Sequence, residues 1–243
     1  MIEYTKKREP ILERIIQLVI SIPLLKIILK FTRSKKLPYV FTFLMFLTGI
    51  LGSVLLINGN YLASSIMFLL SVALDKMDGT SARFIFGKDP ELRGTLDFIL
   101  GHIVGVTFLV SLLRVLIHIK AMLEVYALIV FMALFMVFLA LQSTKFRLFA
   151  KYGLDEKKKF RVITLKGFYS KVWNLATKLG IKPFPTECDA FILLEVLLPV
   201  FGFKYTLTFI MLSNLAIFFE IFVLIFILNT TWRGSGLVDL HRH

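Results

Sequence analysis

The chain has 243 residues, of which 57% are hydrophobic and 25 are Phe, and its mean hydropathy is +0.80. These values lie outside the range of soluble globular domains and indicate an integral membrane protein. The formal net charge of +13 comes from two basic segments, residues 1–36 and residues 143–189. Because these segments alternate with apolar runs, we expect them to contact anionic lipid headgroups rather than nucleic acid.

The first predicted element is an amphipathic helix at residues 11–31, within an N-terminal segment of residues 1–36. Glu13, Gln17 and Ser21 are spaced four apart and therefore share one helical face. A wide apolar face with a polar stripe is typical of a helix that lies in the membrane interface. The alternative is a kinked first span, which would add one crossing and move the C-terminus to the other side of the membrane.

Six apolar runs follow, and all but the short fifth one approach the roughly 20 residues that a transmembrane helix needs. The predicted fold is therefore all-α: one six-helix membrane domain, residues 37–232, after the interfacial helix and before a polar tail, residues 233–243. The basic segments place both termini and residues 84–91 and 143–189 in the cytoplasm. The predicted spans are 38–57, 61–83, 92–117, 121–142, 190–203 and 205–229.

Three carboxylates interrupt this apolar pattern at the second and third spans. Asp75, Asp78, Gly79 and Ala82 follow the spacing i, i+3, i+4, i+7 and share one helical face. Asp97 lies about two turns into the next helix and faces back toward them if the two helices are antiparallel neighbours. Carboxylates near a membrane need a partner, water or a cation, and Mg²⁺ takes such hard oxygen ligands together with substrate phosphates. The alternative is an ordinary solvated helix end.

The string DKMDGTSAR, residues 75–83, closely resembles the signature of the CDP-alcohol phosphotransferase family, D-x2-D-G-x2-A-R-x8-G-x3-D-x3-D. Members of that family are six-span membrane enzymes with an amphipathic N-terminal helix, and they usually form homodimers. The resemblance implies that Asp75, Asp78 and Asp97 hold two metal ions, Mg²⁺ or Mn²⁺.

The resemblance also implies a reaction. A CDP-linked lipid, such as CDP-diacylglycerol or an ether equivalent, would place its diphosphate on the metal ions. Gly79 and Ala82 would admit the cytidine, and Arg83 would help to hold the phosphates. An acceptor alcohol would then attack the phosphorus that bears the lipid, and CMP would leave.

The second half of the signature departs from the pattern. Ten residues rather than eight separate Arg83 from Gly94, and two rather than three separate Gly94 from Asp97. Aligned on Asp97, Gly101 takes the place of the last Asp, which in the family ligates metal and acts as general base.

Three interpretations of this departure remain open. The adjacent His102 serves as the base, since an unperturbed imidazole accepts protons near neutral pH. Alternatively, water or the acceptor's own phosphate removes the proton. Finally, the protein is a noncatalytic relative that binds CDP-lipid without turning it over, and His102 is simply packed or hydrogen-bonded inside the bundle.

Further polar residues have weaker signals. Thr42 falls where the family often has an Asn-x-x-Thr element near the nucleotide, although Tyr39 stands in place of that Asn. Lys145 and Arg147 follow the fourth span and are candidates for binding a phosphorylated acceptor, such as inositol phosphate or glycerol phosphate. The alternative for this pair is a basic face that binds lipid headgroups.

Glu195 and Glu220 lie within predicted spans, where an ionisable group is a functional hypothesis by default. The sequence does not decide whether they line a cavity, pair with neighbours or lie at a subunit contact. A small transporter that uses the three aspartates as an ion site is a further alternative, supported only by the presence of charge near the membrane.

Overall fold

The computed structural model describes residues 9–87, 90–151, 182, 185–201 and 205–234. Every regular element in this part of the chain is a helix, as the sequence predicted. The helices are α1 (Ile11–Ile16), α2 (Ile22–Phe31), α3 (Leu37–Ile57), α4 (Tyr61–Phe86), α5 (Glu91–His118), α6 (Met122–Lys151), α7 (Glu187–Ile192), α8 (Leu198–Phe201) and α9 (Thr206–Gly234). Two π-helical turns, Gln17–Ser21 and Leu193–Leu197, join α1 to α2 and α7 to α8. Most of the predicted loop 143–189 and of the tail 233–243 lies outside the described residues.

Four of these helices contain segments long and apolar enough to cross a membrane, which indicates a membrane protein: Leu37–Ile57, Leu92–His118, Met122–Lys145 and Thr206–Phe226. Helix α4 has 26 residues but carries Asp75, Lys76 and Asp78. The helical run from Glu187 to Phe201 is shorter than the roughly 20 residues of a complete span. The second and fifth of the six predicted spans therefore remain predictions.

Two glycines with a left-handed backbone end long helices. Gly59 follows α3 with φ of 78°, and Gly87 follows α4 with φ of 73°, a conformation that other residues rarely adopt. The N–H of Gly87 donates to the carbonyl of Arg83 at 3.0 Å and so closes the last turn of α4. The short connection at residues 58–60 folds α4 back along α3.

Small residues let α3 pack closely against both α4 and α5. A Cβ atom at Gly49 would lie 2.4 Å from Cγ1 of Val104, so no side chain fits between α3 and α5 at this point. Toward α4, Oγ of Ser71 donates to the carbonyl of Met45 at 2.9 Å. Close backbone approach and hydroxyl hydrogen bonds are the usual means of joining helices in a membrane. Helix α3 thereby fixes the relative position of the two helices that carry the aspartates.

The polar stripe of the N-terminal helix faces the bundle. Glu13, Gln17 and Ser21 are all buried, and Oγ of Ser21 donates to the carbonyl of Ala73 in α4 at 3.0 Å. On the opposite face apolar residues are exposed, with Val19 at 68%. The spacing in the sequence identified the stripe but not its partner, because the same pattern suits water or a neighbouring helix. The interfacial location of this helix stays a prediction.

Asp189 joins the N-terminal helix to the C-terminal half of the chain. It forms a capping box at the start of α7, in which Oδ2 accepts a hydrogen bond of 3.0 Å from the N–H of Thr186. Oδ1 of the same carboxylate accepts a hydrogen bond of 2.8 Å from the N–H of Leu12. One buried side chain therefore starts α7 and also holds α1 against it.

Candidate functional site

A cavity of about 1090 Å³ lies between the N-terminal helix and helices α4, α5, α6 and α7. Most of the predicted site residues border it, namely Asp75, Asp78, Gly79, Arg83, Asp97, His102 and Arg147, and so does Gly101. Four aromatic side chains also border it, namely Phe98, Phe135, Phe138 and Phe191. Apolar walls with a few convergent polar groups are typical of a ligand site.

The carboxylates of Asp75, Asp78 and Asp97 offer oxygen atoms that lie within 4.8 Å of one another. Helix α4 supplies the first two from one face, and α5 supplies the third. The Asp78 side chain is only 1% exposed, whereas those of Asp75 and Asp97 are 31% and 25% exposed. The structure therefore brings the three predicted ligands together at a cluster that is buried at one end and accessible at the other.

Thr42 lies behind this cluster and is not among the residues that border the cavity. Its Oγ1 donates a hydrogen bond of 2.7 Å to Oδ2 of Asp78, and its side chain is buried. A hydrogen bond from a packed neighbour fixes the orientation of a ligating carboxylate. In this structure Thr42 therefore contacts Asp78 rather than the cavity.

Lys76 connects the cluster to the N-terminal helix. Its Nζ lies 2.8 Å from Oδ2 of Asp75 and 2.8 Å from Oε2 of Glu13, and the side chains of Lys76 and Glu13 are each 10% exposed. Burial raises the pKa of Glu13 above its usual value, and the Lys76 ammonium acts in the opposite direction. Since Glu13 also borders the cavity, the N-terminal helix forms part of the site.

Arg93 is a site residue that the sequence analysis missed. Its Nη1 lies 2.9 Å from Oδ1 of Asp78 and 3.8 Å from Oδ2 of Asp97, and its side chain is 3% exposed. A signal was present in the sequence, because Arg93 precedes Asp97 by four residues and shares its helical face. The acidic cluster therefore includes a guanidinium that the chain itself supplies.

The two small residues predicted to admit a ligand have different surroundings. Gly79 borders the cavity, and a Cβ atom there would lie 3.4 Å from Nη1 of Arg83. The missing side chain lets the Arg83 guanidinium lie across this turn of α4. Ala82 is completely buried and is not among the described residues that border the cavity.

Gly101 and His102 both border the cavity. No atom of a neighbouring described residue lies within 4 Å of the position that a Cβ atom would take at Gly101, so this position has room for a side chain. Nδ1 of His102 lies 2.7 Å from the carbonyl oxygen of Phe98. Because a carbonyl can only accept, the neutral ring carries its proton on Nδ1 and leaves Nε2 as an acceptor. The ring of His102 also packs against Phe98, with centroids 4.1 Å apart.

Only one of the two basic residues predicted on α6, Lys145 and Arg147, borders the cavity in the part of the chain that the structure describes. Arg147 borders the cavity, whereas Lys145 is buried in the same helix and is not among the described residues that border it. Of the two predicted acceptor ligands, Arg147 therefore has access to the site.

Glu195 and Glu220, which the sequence left unassigned, lie in different surroundings. Glu195 borders the cavity from the π-helical turn Leu193–Leu197, and it is 7% exposed. Glu220 instead accepts a hydrogen bond of 2.6 Å from the N–H of Glu187, and its Oε1 lies 3.6 Å from Nζ of Lys182. Glu195 is therefore part of the candidate site, and Glu220 belongs to an ion-paired group at the start of α7.

The donor set of the cluster fits a divalent cation. It consists of carboxylate oxygens alone, which are the ligands that Mg²⁺ and Mn²⁺ favour. Oδ1 of Asp97 is buried and has no hydrogen-bond partner among the residues that the structure describes. Such an orphaned acceptor is costly unless a ligand satisfies it.

The chain was compared with protein families, curated proteins and solved structures. No protein-family model, curated protein or solved structure matches the chain. The functional interpretation therefore rests on the motif and on the geometry of the cavity.

Proposed function

We propose that the protein transfers a phospho-lipid group from a CDP-linked donor to an acceptor alcohol with release of CMP, in phospholipid biosynthesis. The observation that carries this proposal is the convergence of Asp75, Asp78 and Asp97 at one cavity. The first two belong to the string that resembles the CDP-alcohol phosphotransferase signature, and Arg83 of the same string borders the cavity. Motif and geometry therefore support the same chemistry.

The cavity offers different walls to the two ends of a CDP-lipid. Arg83 and Arg93 present guanidinium groups, which bind phosphate oxygens through paired hydrogen bonds. Gly79, which has no side chain, borders the cavity beside them. We place the cytidine at this turn of α4, and Ala82 is buried in the same helix. Phe98 and Phe138 provide apolar surface toward the lipid end.

The aspartates would hold Mg²⁺ or Mn²⁺, which supplies positive charge against the donor diphosphate when bound. The chain orients these carboxylates in advance. Thr42 holds Asp78 by a hydrogen bond, and Lys76 holds Asp75 by an ion pair. Such outer contacts support a site that needs little rearrangement to receive its ligand.

In the proposed reaction, the acceptor hydroxyl oxygen forms a bond to the phosphorus that bears the lipid. The bond between that phosphorus and the oxygen shared with the cytidine phosphate breaks, and CMP leaves with the electron pair. We assign Nε2 of His102 as the group that takes the hydroxyl proton, because Nδ1 is directed to the Phe98 carbonyl. Arg147, with Lys145 on the same helix, is proposed to attract a phosphorylated acceptor.

The proposed membrane arrangement has six spans, both termini in the cytoplasm and the cavity at the inner leaflet. Helix α4 and the run from Glu187 to Phe201 would supply the two spans beyond the four apolar helices. The N-terminal helix would lie in the interface, with its exposed apolar face toward lipid. We further propose a homodimer, by analogy with the family that the motif resembles.

A noncatalytic CDP-lipid-binding protein is the second candidate, and one observation favours it. Gly101 takes the place of the last Asp of the signature, and no atom of a neighbouring described residue, acidic or otherwise, lies within 4 Å of its Cβ position. Such a protein would bind the donor and a metal ion but would not release CMP.

Measuring CMP release distinguishes the two candidates. Purified protein in lipid would receive Mn²⁺ or Mg²⁺, CDP-diacylglycerol and a panel of acceptor alcohols that includes inositol phosphate and glycerol phosphate. We expect release with at least one acceptor, and its loss in Asp78→Asn. Glu124→Gln, in the first turn of α6, is the matched control and should retain release. A wild-type protein that is silent with every acceptor would contradict the enzymatic proposal.

Cys188 provides a separate measurement of donor binding. It is the single cysteine of the chain and borders the cavity. Its thiol is partly buried, so alkylation by a maleimide should be slow. We expect CDP-diacylglycerol to slow it further by filling the cavity. Protection without CMP release would identify the noncatalytic protein, whereas absence of both would contradict nucleotide-lipid binding and leave the ion transporter to be tested by flux.

A further inference from the structure

The charge of the acidic cluster differs from that of a site with carboxylates alone. Asp75, Asp78 and Asp97 contribute three negative charges, and their oxygens lie within 4.8 Å of one another. The Arg93 guanidinium contributes one positive charge at 2.9 Å from Asp78 and 3.8 Å from Asp97. Because the Arg93 side chain is 3% exposed, water screens this charge poorly. Lys76 and Glu13, which pair beside Asp75, cancel each other, so the formal charge of the cluster is −2.

Two substitutions in the signature account for this charge. Counting back from Asp97 in the pattern G-x3-D-x3-D, Arg93 stands at the position of the glycine, with Gly94 one residue later, and counting forward, Gly101 takes the place of the last Asp. The first change adds a positive charge and the second removes a negative one. A site with four carboxylates and no arginine would carry −4, so the two changes together halve the charge that cations must balance.

We propose that Arg93 replaces one of the two divalent cations, so that the cluster binds a single Mg²⁺ or Mn²⁺ ion. This inference rests on the proposed function, because it concerns the ions that would serve the CDP-lipid. Buried charges are stable only when they are compensated, and one divalent cation balances a charge of −2. A guanidinium also binds phosphate oxygens, so Arg93 would supply to the diphosphate part of the positive charge that a second cation would bring.

The structure permits a reciprocal experiment. A Cβ atom at Gly101 would meet no neighbouring described atom within 4 Å, so the position is open enough for an aspartate to be introduced there. The variant Arg93→Gly/Gly101→Asp would restore four carboxylates and remove the guanidinium. Arg114→Gly on the same helix is the matched control, since Arg114 is exposed near the other end of α5.

The experiment is the stoichiometry of Mn²⁺ binding, measured by titration calorimetry and by native mass spectrometry without substrate. We expect one ion per chain in the wild type and in Arg114→Gly, and two ions per chain in Arg93→Gly/Gly101→Asp. Two ions, or none, in the wild type would overturn the inference whether or not the double variant folds. A folded double variant that still binds one ion would overturn it as well.

Failure of this inference differs from failure of the proposed function. CMP release by a wild type that binds two ions would support the function and refute the role of Arg93. A wild type that binds one ion but releases no CMP with any acceptor would support the role of Arg93 and refute the enzymatic function.

Discussion

Oγ1 of Thr42 donates a hydrogen bond of 2.7 Å to Oδ2 of Asp78, and this contact joins α3 to the most deeply buried acid of the site. The donor compensates a carboxylate that has little access to water. Thr42 contacts the cluster from outside the cavity, so it can be substituted without changing any residue that borders the cavity.

We predict that Thr42→Val lowers the free energy of unfolding by about 1–3 kcal/mol, because the substitution keeps the shape and leaves the buried Asp78 short of a donor. Thermal unfolding in detergent would measure the loss. Thr42→Ser should retain most of the stability, since it keeps the hydroxyl. Thr48→Val is the matched control, because the Thr48 hydroxyl donates only to backbone carbonyls of its own helix. Equal losses at positions 42 and 48 would contradict the assigned role.

Lys76 leads to a prediction that depends on pH. Lys76→Met leaves Glu13 and Asp75 without their shared ammonium, and loss of one partner of a buried ion pair costs about 3–5 kcal/mol. The cost should fall as the pH is lowered toward 4.5, the usual pKa of Glu13. Burial raises the pKa of Glu13 in the folded protein. Between pH 4.5 and that raised pKa, Glu13 is therefore protonated and uncharged in the folded variant but ionised in the unfolded chain.

Unfolding of Lys76→Met at several pH values checks this prediction. The stability recovered at low pH should be lost as the pH rises through the pKa that Glu13 has in the folded variant. Lys26→Met, which changes an exposed lysine of α2, should shift stability by less than about 0.5 kcal/mol. A loss at Lys76 that is the same at every pH would argue against an unpaired carboxylate as its cause.

Asp189→Ala should release the N-terminal helix from α7. The substitution removes acceptors for the N–H groups of Leu12 and Thr186, and each unsatisfied donor costs about 1–3 kcal/mol if it stays buried. Hydrogen–deuterium exchange should therefore become faster across residues 11–31. Glu124→Ala serves as the control for loss of an acid in the first turn of a helix. Unchanged exchange in Asp189→Ala would show that other contacts hold this helix.

Gly49→Ala should destabilise the packing of α3 on α5. The added methyl group would lie 2.4 Å from Cγ1 of Val104, a stiff β-branched side chain, and overpacking of this kind costs about 1–3 kcal/mol. Val104→Ala in the same chain should recover part of the loss. Gly94→Ala on α5 is the control, because no neighbouring described atom lies within 4 Å of its added methyl group. If Gly49→Ala and Gly94→Ala change the free energy of unfolding by the same amount, the inferred close contact between α3 and α5 at Gly49 is contradicted.

Much of the fold could be predicted from local signals. Apolar runs identified the helices to within a few residues at many ends: the predicted span 92–117 corresponds to α5, Glu91–His118. The approach of Asp97 to the α4 aspartates was also accessible, because helical periodicity defines faces and a short connection makes α4 and α5 neighbours.

Other features depend on tertiary packing. The pattern of Glu13, Gln17 and Ser21 defines a polar stripe but not the helix that it contacts. Likewise, the spacing of Arg93 and Asp97 shows a shared face, whereas the contact with Asp78 depends on how α5 lies against α4. Glu195 and Glu220 are similar in sequence context, and only the arrangement of α7 and α9 separates them.

The π-helical turn Leu193–Leu197 affects which acids of this helical run face the cavity. Glu187 and Glu195 both border it, although regular α-helical winding would place residues this far apart in the chain about 80° from each other around the axis. A π turn winds by less than an α-helix for each residue, and so it brings Glu195 closer to the side on which Glu187 lies. Substitutions along this wall alter its chemistry, whereas regular α-helical winding over the same residues would turn the two acids apart.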